Sequence, residues 1–332
     1  MIDGPTTPGA ARHARRAADP YPMAFVGLTD WDWFDRLRSI PDLDEVNFWQ
    51  PSPGGGFAAL RPGEPFIFKL HRPRDLIVGC AFFAHYSRLP VSLAWDAFRT
   101  KNGTASLAEM RTRVQRYRRT PSSGPEDYEI GCVVLEQPLF LDERDWIEAP
   151  EWKPNIQRGR TYRLDTEPGL TMWRALEVRL GASPLPIESV DRLLREPGAA
   201  RYGSPMFVLP RLGQGSFQVA VVDAYRRRCA VTGEKVLPVL ESAHIKPYAD
   251  GGEHRVDNGM LLRSDIHKLF DRGYLTVTPG LEIVVSKRLR DDFDNGDDYL
   301  AMSGARIQAP LHSAQHPSAE FLAWHNANRY VG

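Results

Sequence analysis

Cysteine is scarce in this chain, with three in 332 residues, at positions 80, 132 and 229. Three scattered thiols cannot build a disulfide framework, and their rarity fits a reducing cytoplasm. No apolar run approaches the ~20 residues that a membrane-spanning helix needs. The first residues also lack the hydrophobic core of a secretory leader. Net charge is missing too: 42 basic side chains stand against 42 acidic ones, for a formal charge of +0. The molecule is no polycation, so any nucleic-acid surface has to come from local clustering of arginine. There is no internal repeat and no long low-complexity tract. What remains is 42% hydrophobic and 25% charged, the proportions of a folded soluble protein. The length suggests two domains.

Residues 1–22 are rich in Gly, Pro, Ala and Arg and carry no apolar periodicity, so they read as a flexible arm. Arg12, Arg15 and Arg16 within it are either phosphate contacts or a solvated tail. Residues 23–165 read as a β-rich domain. Trp31, Trp33, Phe34, Leu37 and Ile40 predict a short amphipathic helix ended by Pro41. Phe66, Phe68 and Leu70 alternate with Ile67 and Lys69, as in a strand, and residues 76–83 predict a second one. Helices are expected over 93–98 and 106–118, and further short strands over 130–135, 139–140 and 162–164. Residues 166–210 read as a helical connector with short helices over 176–180 and 190–195, broken by Pro184, Pro186, Pro197 and Gly198.

Arginine clusters twice. Arg111, Arg113, Arg116, Arg118 and Arg119 form the densest run, at helical spacing. They suit either a phosphate track or a solvated face laced with salt bridges. Arg226, Arg227 and Arg228 close a helix predicted over 217–229. Arg113, Arg116, Arg226 and Arg227 are the candidate contacts to a DNA backbone.

The second domain, 211–332, is organised around residues 229–271. His244 ends a short apolar run containing Val239, Leu240, Ala243 and Ile245. A polar loop with Gly251 and Gly252 follows. Asn258 and Gly259 make a turn before a second apolar run, Met260 to Leu262. Ser264 can cap a helix carrying Asp265, His267, Leu269 and Phe270, and Gly273 ends it. The pattern is strand, loop, strand, helix, with His244, Asn258 and His267 aimed at one place. A lone histidine after an apolar run is ordinarily structural. Three polar residues in a fixed arrangement, fourteen and then nine positions apart, are a different matter.

These residues in this order, with the lead-in Ala243-His244-Ile245-Lys246-Pro247 and the trailer from Asn258 to Asp271, resemble the HNH endonuclease family and its ββα-metal fold. The resemblance extends to the stretches 211–217 and 324–326. It implies phosphodiester hydrolysis, with His244 as general base, Asn258 orienting it and tying down the loop, and His267 as metal ligand. The implied ion is divalent, Mg2+ or Mn2+ first, with Co2+ or Ni2+ as others. Two departures stand out. Many relatives carry an acid or a second histidine directly before the base, where this chain has Ala243. Glu241, Asp265 or water would then complete the ion's shell. Many relatives also enclose the motif in a zinc site of two CxxC pairs, whereas here Cys229 stands alone, with Thr232 and Arg263 at comparable places. A structural zinc held by four cysteines is therefore not expected, and ordinary packing through Tyr225, Leu262, Phe270, Tyr274 and Val277 takes its place.

In the N-terminal part, the stretches FWQPS (48–52), RPGEPFIFKLH (61–71) and IVGCAFF (77–83) resemble the PUA-like superfamily, most of all its EVE branch. The implied fold class is α+β: a β-rich PUA/EVE-like barrel followed by a ββα-metal nuclease domain. PUA-like pockets can take up a flipped, modified base and stack it on aromatic rings. Trp49, Phe83 and Trp95 are the candidate rings, with Asn47, Gln50 and Ser52 as polar edges beside Trp49. Together the two resemblances point to modification-dependent restriction endonucleases. They imply cleavage of double-stranded DNA at a 5-methyl or 5-hydroxymethyl cytosine. Recognition of a phosphorothioate, of unmodified DNA or of RNA remains open, as does a nucleic-acid-binding module with an inactive nuclease fold. One HNH site cuts one strand at a time, so a double-strand break implies a homodimer.

Overall fold

The computed structural model describes residues 21–118, 127–156, 158–181 and 212–332. The arm's Arg12, Arg15 and Arg16, together with Arg119 and the helix expected over 190–195, lie outside these residues. The chain divides into two compact units. One contains 21–86, 100–118 and 130–181, and the other contains 87–99, 127–129 and 212–332.

The elements of the first part follow in chain order. They are β1 (Met23–Thr29), α1 (Trp31–Arg38), β2 (Glu45–Gln50), β3 (Pro65–Leu70), β4 (Leu76–Pro90), α2 (Val91–Phe98), α3 (Leu107–Tyr117), β5 (Glu129–Phe140), β6 (Ile147–Glu148), β7 (Gly159–Arg163) and α4 (Gly169–Gly181). The strands form one mixed sheet in the order β2-β5-β4-β3-β1-β7, with β6 attached to β4. Residues 130–135 and 139–140 thus belong to one strand, and β4 runs seven residues beyond its expected end at 83.

The expected barrel is not there. Closure would require the outer strands β2 and β7 to pair, and among the described residues the sheet is open. The cause lies at β1. It pairs in parallel with β3 on one side and takes β7 antiparallel on the other. The last strand therefore extends an edge rather than bridging to β2.

Alternation along β3 sends Phe66 and Phe68 to one face and Ile67 to the other. Both faces are covered, so all six residues of β3 are buried. On one face Trp33, Phe34 and Leu37 of α1 join Phe66, Phe68 and Phe83. On the other, Met172, Trp173, Leu176 and Leu180 of α4 pack with Val26, Ile67 and Ile77. Residues 169–181, the first part of the expected helical connector, form one helix that packs into this core. Lys69 is 0% exposed. Its ammonium is paired with Asp75 and lies 4.7 Å from the ring centre of Trp152. α3 starts as expected: the Ser106 hydroxyl accepts the Glu109 N–H at 3.1 Å, satisfying one of the helix's orphan donors.

The second unit holds α2 and, from the C-terminal part, α5 (Gln214–Ala224), β8 (Leu240–His244), β9 (Gly259–Arg263), α6 (Ser264–Asp271), β10 (Leu275–Val277), β11 (Ile283–Val285), α7 (Arg288–Phe293), α8 (Asp297–Leu300) and α9 (Ala319–Asn328). β8 and β9 form an antiparallel hairpin that pairs Ala243 with Met260 and His244 with Gly259. Its inner side packs with α5 and α6 through Phe217, Val221, Leu261, Ile266 and Phe270, and Tyr225, Leu262 and Val277 join that core, with Tyr274 partly buried against it.

α5 is shorter than the sequence suggests. Arg226 and Arg227 adopt φ of 51° and 59°, a left-handed turn that a continuing helix cannot accommodate. α6 begins with Ser264 inside the helix and Arg263 at the cap, one residue from expectation. It ends at Gly273, whose φ is +79° and whose missing Cβ would lie 1.9 Å from the Arg329 carbonyl oxygen. Only glycine allows that approach.

The Cys229 thiol is buried. It accepts the Thr232 and Arg263 backbone N–H groups at 3.4 and 3.3 Å. At the chain's end, His325 stacks on Phe270 with ring centres 3.7 Å apart. It bonds to the Thr276 hydroxyl at 2.8 Å and the Phe270 carbonyl at 3.1 Å. Asn326 donates to the Val277 carbonyl at 2.8 Å. The stretch 324–326 therefore pins α9 onto β10 and α6.

Candidate active site

β8 delivers His244 at its last residue, where the strand meets the polar loop. The ring lies flat on Phe217 of α5, with centres 3.9 Å apart and planes 12° apart. Its Nε2 is 2.9 Å from Nδ1 of His254. Burial, with His254 and His267 adding smaller effects, pushes the His244 pKa down to about 4. At neutral pH the imidazole is therefore uncharged and able to accept a proton.

Asn258 is 0% exposed and acts on backbone. Its Oδ1 accepts the Lys246 N–H at 2.9 Å. Its Nδ2 donates to the carbonyls of Lys246 and Glu253, both at 2.9 Å. One carboxamide thus closes the loop that begins two residues after His244. Orientation of the base is indirect, through that loop. Gly252 completes the closure, because a Cβ there would meet the Lys246 carbonyl oxygen at 1.8 Å.

α6 presents His267 between two carboxylates. Glu241, from β8, places Oε2 2.6 Å from Nδ1. Asp271, one helical turn on, places Oδ2 3.3 Å from Nε2. Burial raises the Asp271 carboxyl above its ordinary range. Of the two acids suggested as substitutes at the Ala243 position, Asp265 is engaged elsewhere. Arg263 grips it at 2.6 and 2.7 Å and pulls its carboxyl down to about 2. Glu241 is the acid beside His267.

Glu241, His244, Tyr248, His267, Asp271 and Arg329 line one cleft of about 760 Å³. The imidazole nitrogen favours Ni2+ and similar transition ions, while the carboxylate oxygen and water also suit Mg2+ and Mn2+. Because Glu241 and Asp271 face opposite nitrogens of His267, they cannot converge on one ion; among the described residues no three such side chains do. The fit is therefore one imidazole and one carboxylate, with water and phosphate oxygens filling the shell, while the other carboxylate receives the remaining ring N–H.

Residues 229–278 match the HNH endonuclease family model. The match takes in His244, Asn258, His267 and both flanking carboxylates. Among solved structures, the ASCH protein from Zymomonas mobilis is 13% identical, with 46% of this chain and 94% of that one covered at a TM-score of 0.29. A mutant form of the same protein is 11% identical over 46% and 97%, at 0.29. A modification-dependent TagI restriction endonuclease is 12% identical over 92% of this chain and 81% of that one, at 0.26. TM-scores this low establish no shared fold. Comparison with the curated proteins gives no match.

Outside the HNH segment the candidate residues are dispersed. Trp49 donates its Nε1–H to the Asn102 carbonyl at 3.0 Å, with its ring 6.5 Å from that of Tyr117. Phe83 is 5% exposed and packs against Phe57 in the core. Trp95 lies half-buried on α2, in the other unit. Arg113 pairs with Glu109 at 2.8 Å and Asp32 at 3.4 Å. Arg227 pairs with Glu129 at 3.0 Å and with the Arg88 carbonyl. Arg116 and Arg226 are exposed.

Sequence reasoning missed His254 and Asp271. Asp271 had a signal, since four residues from His267 on a helix is one turn. His254 had only its place in the loop that Asn258 closes.

Proposed function

We propose that this chain is a metal-dependent DNA endonuclease. The observation that carries the proposal is that His244 and His267 open onto one cleft, one ring held uncharged and the other flanked by carboxylates. His244 takes a proton from water, and the hydroxide attacks phosphorus as the bond to the leaving oxygen breaks. His267, with Glu241 or Asp271, holds the divalent ion, which when bound supplies positive charge for the phosphate and the leaving oxygen. Asn258 keeps the loop after His244 in one shape, so that the base does not wander from the attacking water.

Such a site touches sugar and phosphate and carries little sequence information. We assign target selection to the N-terminal unit, with a 5-methyl or 5-hydroxymethyl cytosine as the target and Trp49 as the ring that stacks on it. Two copies would then make a double-strand break. The decisive experiment incubates plasmids bearing cytosine, 5-methylcytosine or 5-hydroxymethylcytosine with Mg2+, Mn2+, Co2+ or Ni2+. Cutting of modified plasmid alone is the expected result. Equal cutting of all three would remove the modification reading and leave the nuclease. If wild type and His244→Ala are equally inert with all four ions, the chain is a binding module. Sedimentation showing a monomer that still makes double-strand breaks would remove the dimer.

A further inference from the structure

The contact between His244 Nε2 and His254 Nδ1, at 2.9 Å, contains one proton and two nitrogens. One ring must donate and the other accept. If His254 donates, the neutral His244 carries its own proton on Nδ1 and has no free lone pair left. If His244 donates, its Nδ1 is bare. Only the second arrangement leaves a base. A backbone carbonyl at this place could only accept and would settle the matter alone; an imidazole can do either, so its identity and setting become part of the chemistry.

That setting is made of ring contacts and one backbone anchor. Tyr248 lies parallel to the His254 ring, with centres 4.8 Å apart and planes 7° apart. The His254 ring is also 5.8 Å from Phe217, the side chain on which His244 itself lies. The Glu253 carbonyl, one residue before, is held by Asn258 at 2.9 Å. Each histidine thus lies flat on its own aromatic ring, His244 on Phe217 and His254 on Tyr248, with their facing nitrogens at hydrogen-bond distance.

We infer that His254 is a positioning residue, which accepts the Nε2–H of His244 at its own Nδ1 and thereby keeps His244 Nδ1 unprotonated for the attacking water. This rests on the nuclease reading above. When His244 Nδ1 takes the proton from water, the ring becomes an imidazolium whose Nε2–H still points at a neutral acceptor. The hydrogen bond then becomes charge-assisted and strengthens along the reaction.

Two measurements on the full chain test this. The first is long-range 15N–1H NMR of the histidine rings in wild type and in His254→Phe, which keeps an aromatic ring for Tyr248 and removes the acceptor. Wild-type His244 is expected as the Nε2–H tautomer, and as a mixture in the variant. A wild-type His244 bearing its proton on Nδ1 overturns the inference, whether or not the protein cuts DNA. The second is cleavage at saturating metal over a range of DNA concentrations. His254→Phe is expected to lower kcat about 10- to 100-fold, part of the range for a general base, with KM and melting temperature unchanged. His254→Asn, whose Oδ1 stands near the place of Nδ1, is expected to restore kcat to within about threefold of wild type. His254→Phe at wild-type kcat overturns the inference, and so does His254→Asn folded yet no faster than His254→Phe. Should wild type cut nothing with any ion, the nuclease reading fails, and the NMR result alone then decides the histidine pairing.

Discussion

His244 and His325 are both held uncharged by burial, each with its pKa lowered to about 4. In the unfolded chain a histidine takes up its proton near 6.5. Between about pH 6.5 and 4 the unfolded state therefore binds more protons than the folded one. Stability from these residues is complete above 6.5 and drains away as the pH falls towards 4. Melting of the wild type across that window should show a falling Tm, and His325→Gln should flatten the fall. Activity should persist to lower pH than an ordinary histidine base allows, because His244 stays unprotonated there. A kcat/KM profile whose acid limb lies at 6.5 or above would contradict this. At the neighbouring ring, Glu241→Gln keeps the shape and removes the charge. It should weaken Mn2+ binding about 10- to 100-fold with Tm unchanged, as read by titration calorimetry. Asp271→Asn is the parallel test of the other nitrogen.

At the scale of the element, the hairpin of β8 and β9 with α6 behind it was legible in sequence. Apolar runs, a polar glycine loop and a terminating glycine follow one another at lengths that leave little freedom. The places of His244 at the end of β8, Asn258 just before β9 and His267 on α6 were legible for the same reason, as identities at fixed separations. His254 was not, because a loop histidine gains meaning only when the backbone brings it to a partner. The open sheet was not legible either. A list of strands does not say which edge β7 will choose, and β1 took it. Nor did the arginine run at 226–228 announce that Arg226 and Arg227 would leave the helix through positive φ. Gly273 offers a test of how tightly α6 is terminated. Gly273→Ala would set a Cβ against the Arg329 backbone oxygen at a φ that disfavours any side chain. It should cost about 2 kcal/mol or more, seen as a lower midpoint in urea with an unchanged slope.

For the whole molecule, the unit that carries the cleft is not one continuous stretch. α2, from the middle of what reads as the N-terminal domain, packs on α5. The fit is close enough that a Cβ on Gly215 would meet the Ala97 carbonyl oxygen at 2.7 Å. Leu89 and Leu93 join Val219 and Val222 along the wall of the cleft. A fragment of residues 211–332 alone should therefore expose the α5 face that α2 covers. It should bind a hydrophobic dye and melt below the full chain, and adding residues 87–99 as a peptide should reverse part of this. A fragment as stable as the full chain would show that this contact contributes nothing. On the proposed function, the same interleaving bears on anyone who would retarget cleavage by swapping the other unit. A cut at residue 210 separates 87–99 from the unit they pack in, so a folded chimera has to inherit 87–99 together with 211–332.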